Sequence, residues 1–133
     1  MKLHYHLIAQ IITSLRDVFI DRRYADKVVE FAFKKHPKWG SRDRRLFAEA
    51  VYEIVRHWRW YWYLAGLPDA DHAKREALRE DKIWEVWSAY WIMAGNDLPF
   101  FDEVGGVRRG AIIARSKEEV SPAIRASLPD WLD

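Results

Sequence analysis

Gly40-Ser41-Arg42-Asp43-Arg44-Arg45-Leu46-Phe47-Ala48-Glu49-Ala50-Val51-Tyr52-Glu53-Ile54-Val55-Arg56-His57-Trp58-Arg59-Trp60-Tyr61-Trp62-Tyr63-Leu64-Ala65-Gly66 is the stretch whose reading decides the fold. No Pro or Gly interrupts its interior, so it reads as one helix over about residues 41–65, some 36 Å long. Ser41 suits the N-cap, where a hydroxyl accepts from a free amide of the first turn. Asp43 suits the positive end of the helix dipole. Gly66 and Pro68 form the stop. At 100° per residue, Leu46, Phe47, Ala50, Val51, Ile54, Val55, Trp58, Tyr61, Trp62, Leu64 and Ala65 cover an arc of roughly 200°. A surface helix carries a stripe only a little wider than about 100°. The helix is therefore expected at the centre of the molecule, contacted from several sides.

The remaining arc holds Arg42, Arg45, Glu49, Glu53, Arg56, Arg59, Trp60 and Tyr63. Arginines crowd the first turn, where cations oppose the dipole, and Trp60 stands on the polar side. Free amides, guanidinium forks and a flat ring together suit an anion-binding face. The blander alternative pairs Glu49 and Glu53 with Arg45 and Arg56 at helical spacing and packs Trp60 on another helix. For this segment alone the solvated, self-paired face is the commoner outcome. Arg44 falls on the apolar side and is expected to make a structural pairing.

The whole chain, 133 residues and half apolar, has the length of one domain with one core. No run approaches the roughly 18 apolar residues of a membrane span, and the N-terminus lacks a signal-peptide pattern. Without cysteine there is no disulfide, thiolate metal site or cysteine nucleophile; a cytoplasmic location fits. Net charge is only +2, but residues 34–59 hold eight Lys or Arg against three acids. A local basic patch can serve a polyanion even when the total is near zero.

Outward from the central stretch, Leu7, Ile8, Ile11, Ile12, Leu15, Val18 and Phe19 predict an amphipathic helix over 3–19. A second helix is expected from about Tyr24 to Lys35, with Val28, Val29, Ala32 and Phe33 inward. His36-Pro37-Lys38-Trp39-Gly40 is a turn. It places Lys34, Lys35 and Lys38 just ahead of the Arg-rich start of the long helix, although cations in a last turn also answer the dipole. Residues 68–73 form an acidic loop, a polar helix is expected over 73–79, and an aromatic helix over about 82–94, ended by Gly95. Leu98-Pro99-Phe100-Phe101 is expected to anchor a Gly-rich loop, with further helix over 107–120. Ser121-Pro122 is an N-cap followed by Pro at the first helical position. No alternating stretch asks for a strand, so the fold class is all-α.

Enzymatic chemistry finds little support. There is no dinucleotide fingerprint and no P-loop. His4 and His6 sit about 200° apart on a helix and cannot share a metal ion. No acidic pair is isolated in apolar surroundings. Catalytic and metal-binding residues are therefore expected to be none.

Tyr24-Ala25-Asp26-Lys27-Val28-Val29, Trp39-Gly40-Ser41-Arg42-Asp43-Arg44 and Ala48-Glu49-Ala50-Val51-Tyr52-Glu53-Ile54-Val55-Arg56 together resemble the N-terminal NusB-like domain of the Sun/RsmB-type ribosomal RNA cytosine-C5 methyltransferases. Pro129-Asp130-Trp131-Leu132 resembles the segment through which such proteins leave this domain. The resemblance implies a NusB-like helical bundle over residues 1–128, with 129–133 starting a linker or a further element. It implies a noncatalytic domain that helps position ribosomal RNA. No cofactor is expected in this chain; S-adenosylmethionine is expected for an attached C-terminal methyltransferase domain. The residues expected to contact RNA are Lys34, Lys35, Lys38, Arg42, Arg45, Arg56 and Arg59 through phosphates, and Trp60 by stacking. The alternatives are a free-standing antitermination relative of NusB, or a protein-interaction domain docking on a catalytic domain or a second copy through exposed aromatics such as Trp60 and Tyr63.

Overall fold

A computed structural model describes residues 3–127; the expectation for 129–133 lies outside them. Seven α-helices and three short 3₁₀ turns make up the regular structure, with no strand among the described residues. The helices are α1 (Tyr5–Phe19), α2 (Ala25–Lys35), α3 (Ser41–Arg56), α4 (Trp58–Leu64), α5 (Glu80–Met93), α6 (Arg109–Ser116) and α7 (Pro122–Arg125). Among the described residues no helix is long and apolar enough to cross a membrane.

The central position expected for the 41–65 stretch is found. Helix α3 packs on α1, α2 and α5, and α4 on α5, α6 and α7. Phe47, Ala50, Val51 and Ile54 of α3 are buried against Leu7, Ile8, Ile11, Ile12 and Leu15 of α1. Helix α5 adds Ile83, Trp84, Val86, Trp87, Ala89, Trp91 and Ile92. Its aromatic rings interlock, with Trp87 stacked on Trp91 and edge-on to Trp84.

The single long helix is corrected. The chain leaves helical geometry at His57 (φ −118°, ψ 36°), dividing the stretch into α3 and α4. Hydrogen bonding resumes on either side, from His57 N to Glu53 O and from Tyr61 N to His57 O, both at 3.0 Å. The break frees the amide of Trp60, which donates instead to Ser127 Oγ at 3.1 Å. Trp58, beyond the break, stacks on Phe19 at the end of α1 with ring centroids 4.0 Å apart. The change of direction thus lets the aromatic run follow a second packing surface.

Other boundaries also move. Ser41 is the first helical residue, and its predecessor Gly40 occupies the cap without a side-chain bond. The polar helix expected over 73–79 is replaced by 3₁₀ turns at Asp69–Asp71 and Arg75–Ala77. The helix expected over 107–120 is confined to α6. Phe101 is half-buried, but Phe100 is fully exposed, so the expected loop anchor is one ring rather than two. The stops at Gly66 (φ 83°) and Gly95 (φ 89°) are as expected, since a left-handed residue after a helix favours glycine. Ser121 caps α7 by accepting from Ile124 N.

Candidate nucleic-acid interface

The turn between α2 and α3 is built by Arg44. Its Nε donates to Trp39 O at 3.0 Å and its Nη2 to Pro37 O at 3.4 Å, while its guanidinium lies 5.4 Å from the Phe33 ring centre. Trp39 stacks on His36 and tilts against Phe47 of α3. The structural pairing expected for Arg44 is therefore what holds the corner, and the cations around it point to solvent.

Lys34, Lys35, Lys38, Arg42 and Arg45 are all exposed at this corner. Lys34 Nζ lies 3.1 Å from Glu30. Among the described residues no ion pair engages Lys35, Lys38, Arg45 or Arg56, even though Glu49 and Glu53 lie one turn from Arg45 and Arg56. The expected self-pairing does not form. Glu53 instead accepts from Tyr61 Oη at 2.9 Å and lies 3.7 Å from His57 Nε2, bridging the α3–α4 break. Burial, and then this bond, push the Tyr61 phenol far above its ordinary value.

Beside the corner runs a groove between α3 and α5. One hollow, of about 320 Å³, includes Arg42, Arg45, Leu46 and Trp91 in its lining. A second, of about 470 Å³, includes Tyr52, Glu53 and Arg56. Glu49 and Tyr90 border both. The structure thus brings Arg42, Arg45 and Arg56 to one face.

Two expected contacts are corrected. Arg59 is only 4% exposed. Its Nε and Nη2 donate to Asp69 Oδ1 and Oδ2 at 2.8 and 2.7 Å. The reorientation at His57 carries this side chain into the protein, and the Arg59 guanidinium holds the Asp69 carboxyl below its ordinary range. Arg59 fastens the loop after α4, assisted by Trp58 Nε1 donating to His72 O and Trp62 Nε1 to Pro68 O. The acidic loop was visible in the sequence, but a partner ten residues downstream across a turn follows from no helical spacing.

Trp60 is half-buried and already stacked. Its ring lies parallel to Tyr63 at 5.9 Å, and the Arg125 guanidinium sits 4.5 Å from its centre. Tyr63 donates to Glu118 at 2.7 Å. Helix α7 and the turn that precedes it therefore engage the two rings, and a base reaching Trp60 on that side would displace Arg125. Both rings keep part of their surface exposed, with Arg125 and Glu118 engaged on them. Tyr52 and Tyr90 border the exposed cations. The spacing alone assigns Tyr52 no role, and the helical period of 82–94 places Tyr90 on the inner stripe, whereas it is only half-buried.

Comparison with family models, with curated proteins and with solved structures finds no match to this chain. The arrangement itself offers positive charge, aromatic surface and a shallow groove.

Proposed function

We propose that this chain is a noncatalytic RNA-binding domain whose α2–α3 corner and adjoining α3 face engage phosphates. The observation that carries the reading is the corner itself: five exposed cations within residues 34–45, gathered around a turn that Arg44 pins at Trp39 O and Pro37 O, with Asp43 the one acid in that span. Phosphates would displace counterions from Lys34, Lys35, Lys38, Arg42 and Arg45, with Arg56 extending the track. Arg59 and Trp60 are left out of the site for the reasons above.

The sequence resemblance supports a more specific form of the reading. The bundle is NusB-like, the RNA is ribosomal, and the domain serves a cytoplasmic S-adenosylmethionine-dependent cytosine-C5 methyltransferase whose catalytic part lies in an attached domain. The test is binding of a structured ribosomal RNA fragment at several salt concentrations. Loss of Arg45 and Arg56 together removes two contacts, so Arg45→Ala/Arg56→Ala should flatten the log–log salt slope by about 1.4 to 1.8. Both side chains are exposed, so the fold should survive. An unchanged slope would remove these arginines from the interface, and absence of binding by the wild-type chain would end the reading.

A further inference from the structure

A second surface on α2 adjoins the basic corner. The helix buries Val28, Val29 and Ala32, and turns Lys27, Phe31, Lys34 and Lys35 to solvent. Tyr24, at its N-cap, is 80% exposed, and Phe31 is 51% exposed. About 10.5 Å of helix rise separates the two positions. The Arg23 guanidinium lies 5.5 Å from the centre of the Phe31 ring. Residues 21–35 contain five cations (Arg22, Arg23, Lys27, Lys34, Lys35) against Asp21, Asp26 and Glu30. Glu30 lies 3.8 Å from Lys27 and 3.1 Å from Lys34, so its carboxylate is already engaged by lysines of the same helix.

We infer that this face of α2 is a stacking platform for unpaired bases of a single-stranded RNA segment, with Tyr24 and Phe31 each taking one base while Lys35 and Lys38 hold the strand. The inference rests on the RNA-binding reading and specifies which form of RNA is preferred. Two rings set apart among cations do not form the contiguous apolar patch that a protein partner buries. They do match the alternation of charge and aromatic surface that tracks a single strand, because every base has a π-face and every nucleotide a phosphate. Arg23 supports Phe31 through a cation–π contact while half of the residue remains open. Bases within a duplex are stacked on one another and cannot reach these rings, so the platform discriminates by strandedness. Continuity with Lys34, Lys35 and Lys38 lets one strand pass from α2 onto the basic corner.

The test uses a short fluorescein-labelled oligoribonucleotide, alone and annealed to its complement, with anisotropy read at several salt concentrations. Wild type should prefer the single strand. Tyr24→Ala and Phe31→Ala should each weaken single-strand binding by about 5- to 150-fold, the range for removal of a base-stacking ring. The salt slope and duplex binding should stay unchanged, because no cation is lost. Tyr24→Phe and Phe31→Tyr should bind as wild type, separating stacking from any effect on folding. If wild type binds RNA but the alanine variants bind the single strand equally well, the platform is overturned while the basic corner stands. If wild type binds neither RNA, both fail. If the alanine substitutions instead abolish self-association of the chain without altering strand preference, the face is a protein contact and the inference is wrong.

Discussion

Two arginines three residues apart show how the same side-chain chemistry takes opposite roles within one short stretch. Arg56 is exposed beside the groove, whereas Arg59 is buried and held in two parallel hydrogen bonds by Asp69. Removing one partner of a buried pair strands the other, at about 3–5 kcal/mol when both are fully enclosed. Asp69 keeps 35% of its side-chain surface exposed, so Arg59→Met should lose about 2–3 kcal/mol. Asp69→Asn removes the carboxylate charge that faces the more deeply buried guanidinium and should lose about 3–4 kcal/mol. Urea unfolding of both variants checks the order. The depressed Asp69 carboxyl also has a pH signature. The native state binds that proton less readily than the unfolded chain, so the contribution is present above the ordinary carboxylate value of 3.8 and lost as pH falls through the depressed one. Wild type should lose stability on acidification in that window, and Asp69→Asn should show a shallower loss.

At the scale of elements, the end of α4 joins two parts of the bundle. Gly66 has φ 83°, and a Cβ placed there would meet the Arg115 guanidinium at 2.7–2.9 Å. Arg115 Nη1 donates to Leu64 O at 2.9 Å, satisfying a carbonyl that the end of the helix leaves open. Gly66→Ala should therefore carry both the left-handed backbone penalty and displacement of Arg115, about 2 kcal/mol in all. Gly95→Ala, with φ 89° and open space around it, should carry the backbone penalty alone, about 1 kcal/mol. The difference between their unfolding midpoints measures the Arg115 contact. Both helix stops were legible because glycine closes a helix by local backbone geometry. The break at His57 was not. Trp58, Tyr61, Trp62 and Leu64 are buried in the broken arrangement and also fall on the apolar arc of an unbroken helix, so apolar periodicity hardly distinguishes the two. Arg59 distinguishes them, and its partner lies in another element.

Across the whole molecule, the core is the meeting of α1, α3, α4 and α5, with Trp87 among its largest fully buried side chains. Trp87→Ala should lose about 3–5 kcal/mol, a large part of the roughly 5–15 kcal/mol that holds a domain of this size together. Trp87→Phe should lose less than truncation, because it fills more of the space and removes an indole N–H that has no acceptor among the described residues. Thermal unfolding of the two variants checks the comparison. By itself the sequence determined the all-α class, the central place of the stretch after Gly40, the inward faces of α1 and α2, and the concentration of charge near the α2–α3 turn. Those properties follow from local propensity and from a period that repeats within one helix. Tertiary structure alone decided that the helix breaks at His57, that Arg59 serves the fold, that Trp60 lies against Arg125, and that Tyr24 and Phe31 remain open beside exposed lysines. Each of these depends on which distant residue fills the space next to a side chain, and that is set by packing between elements.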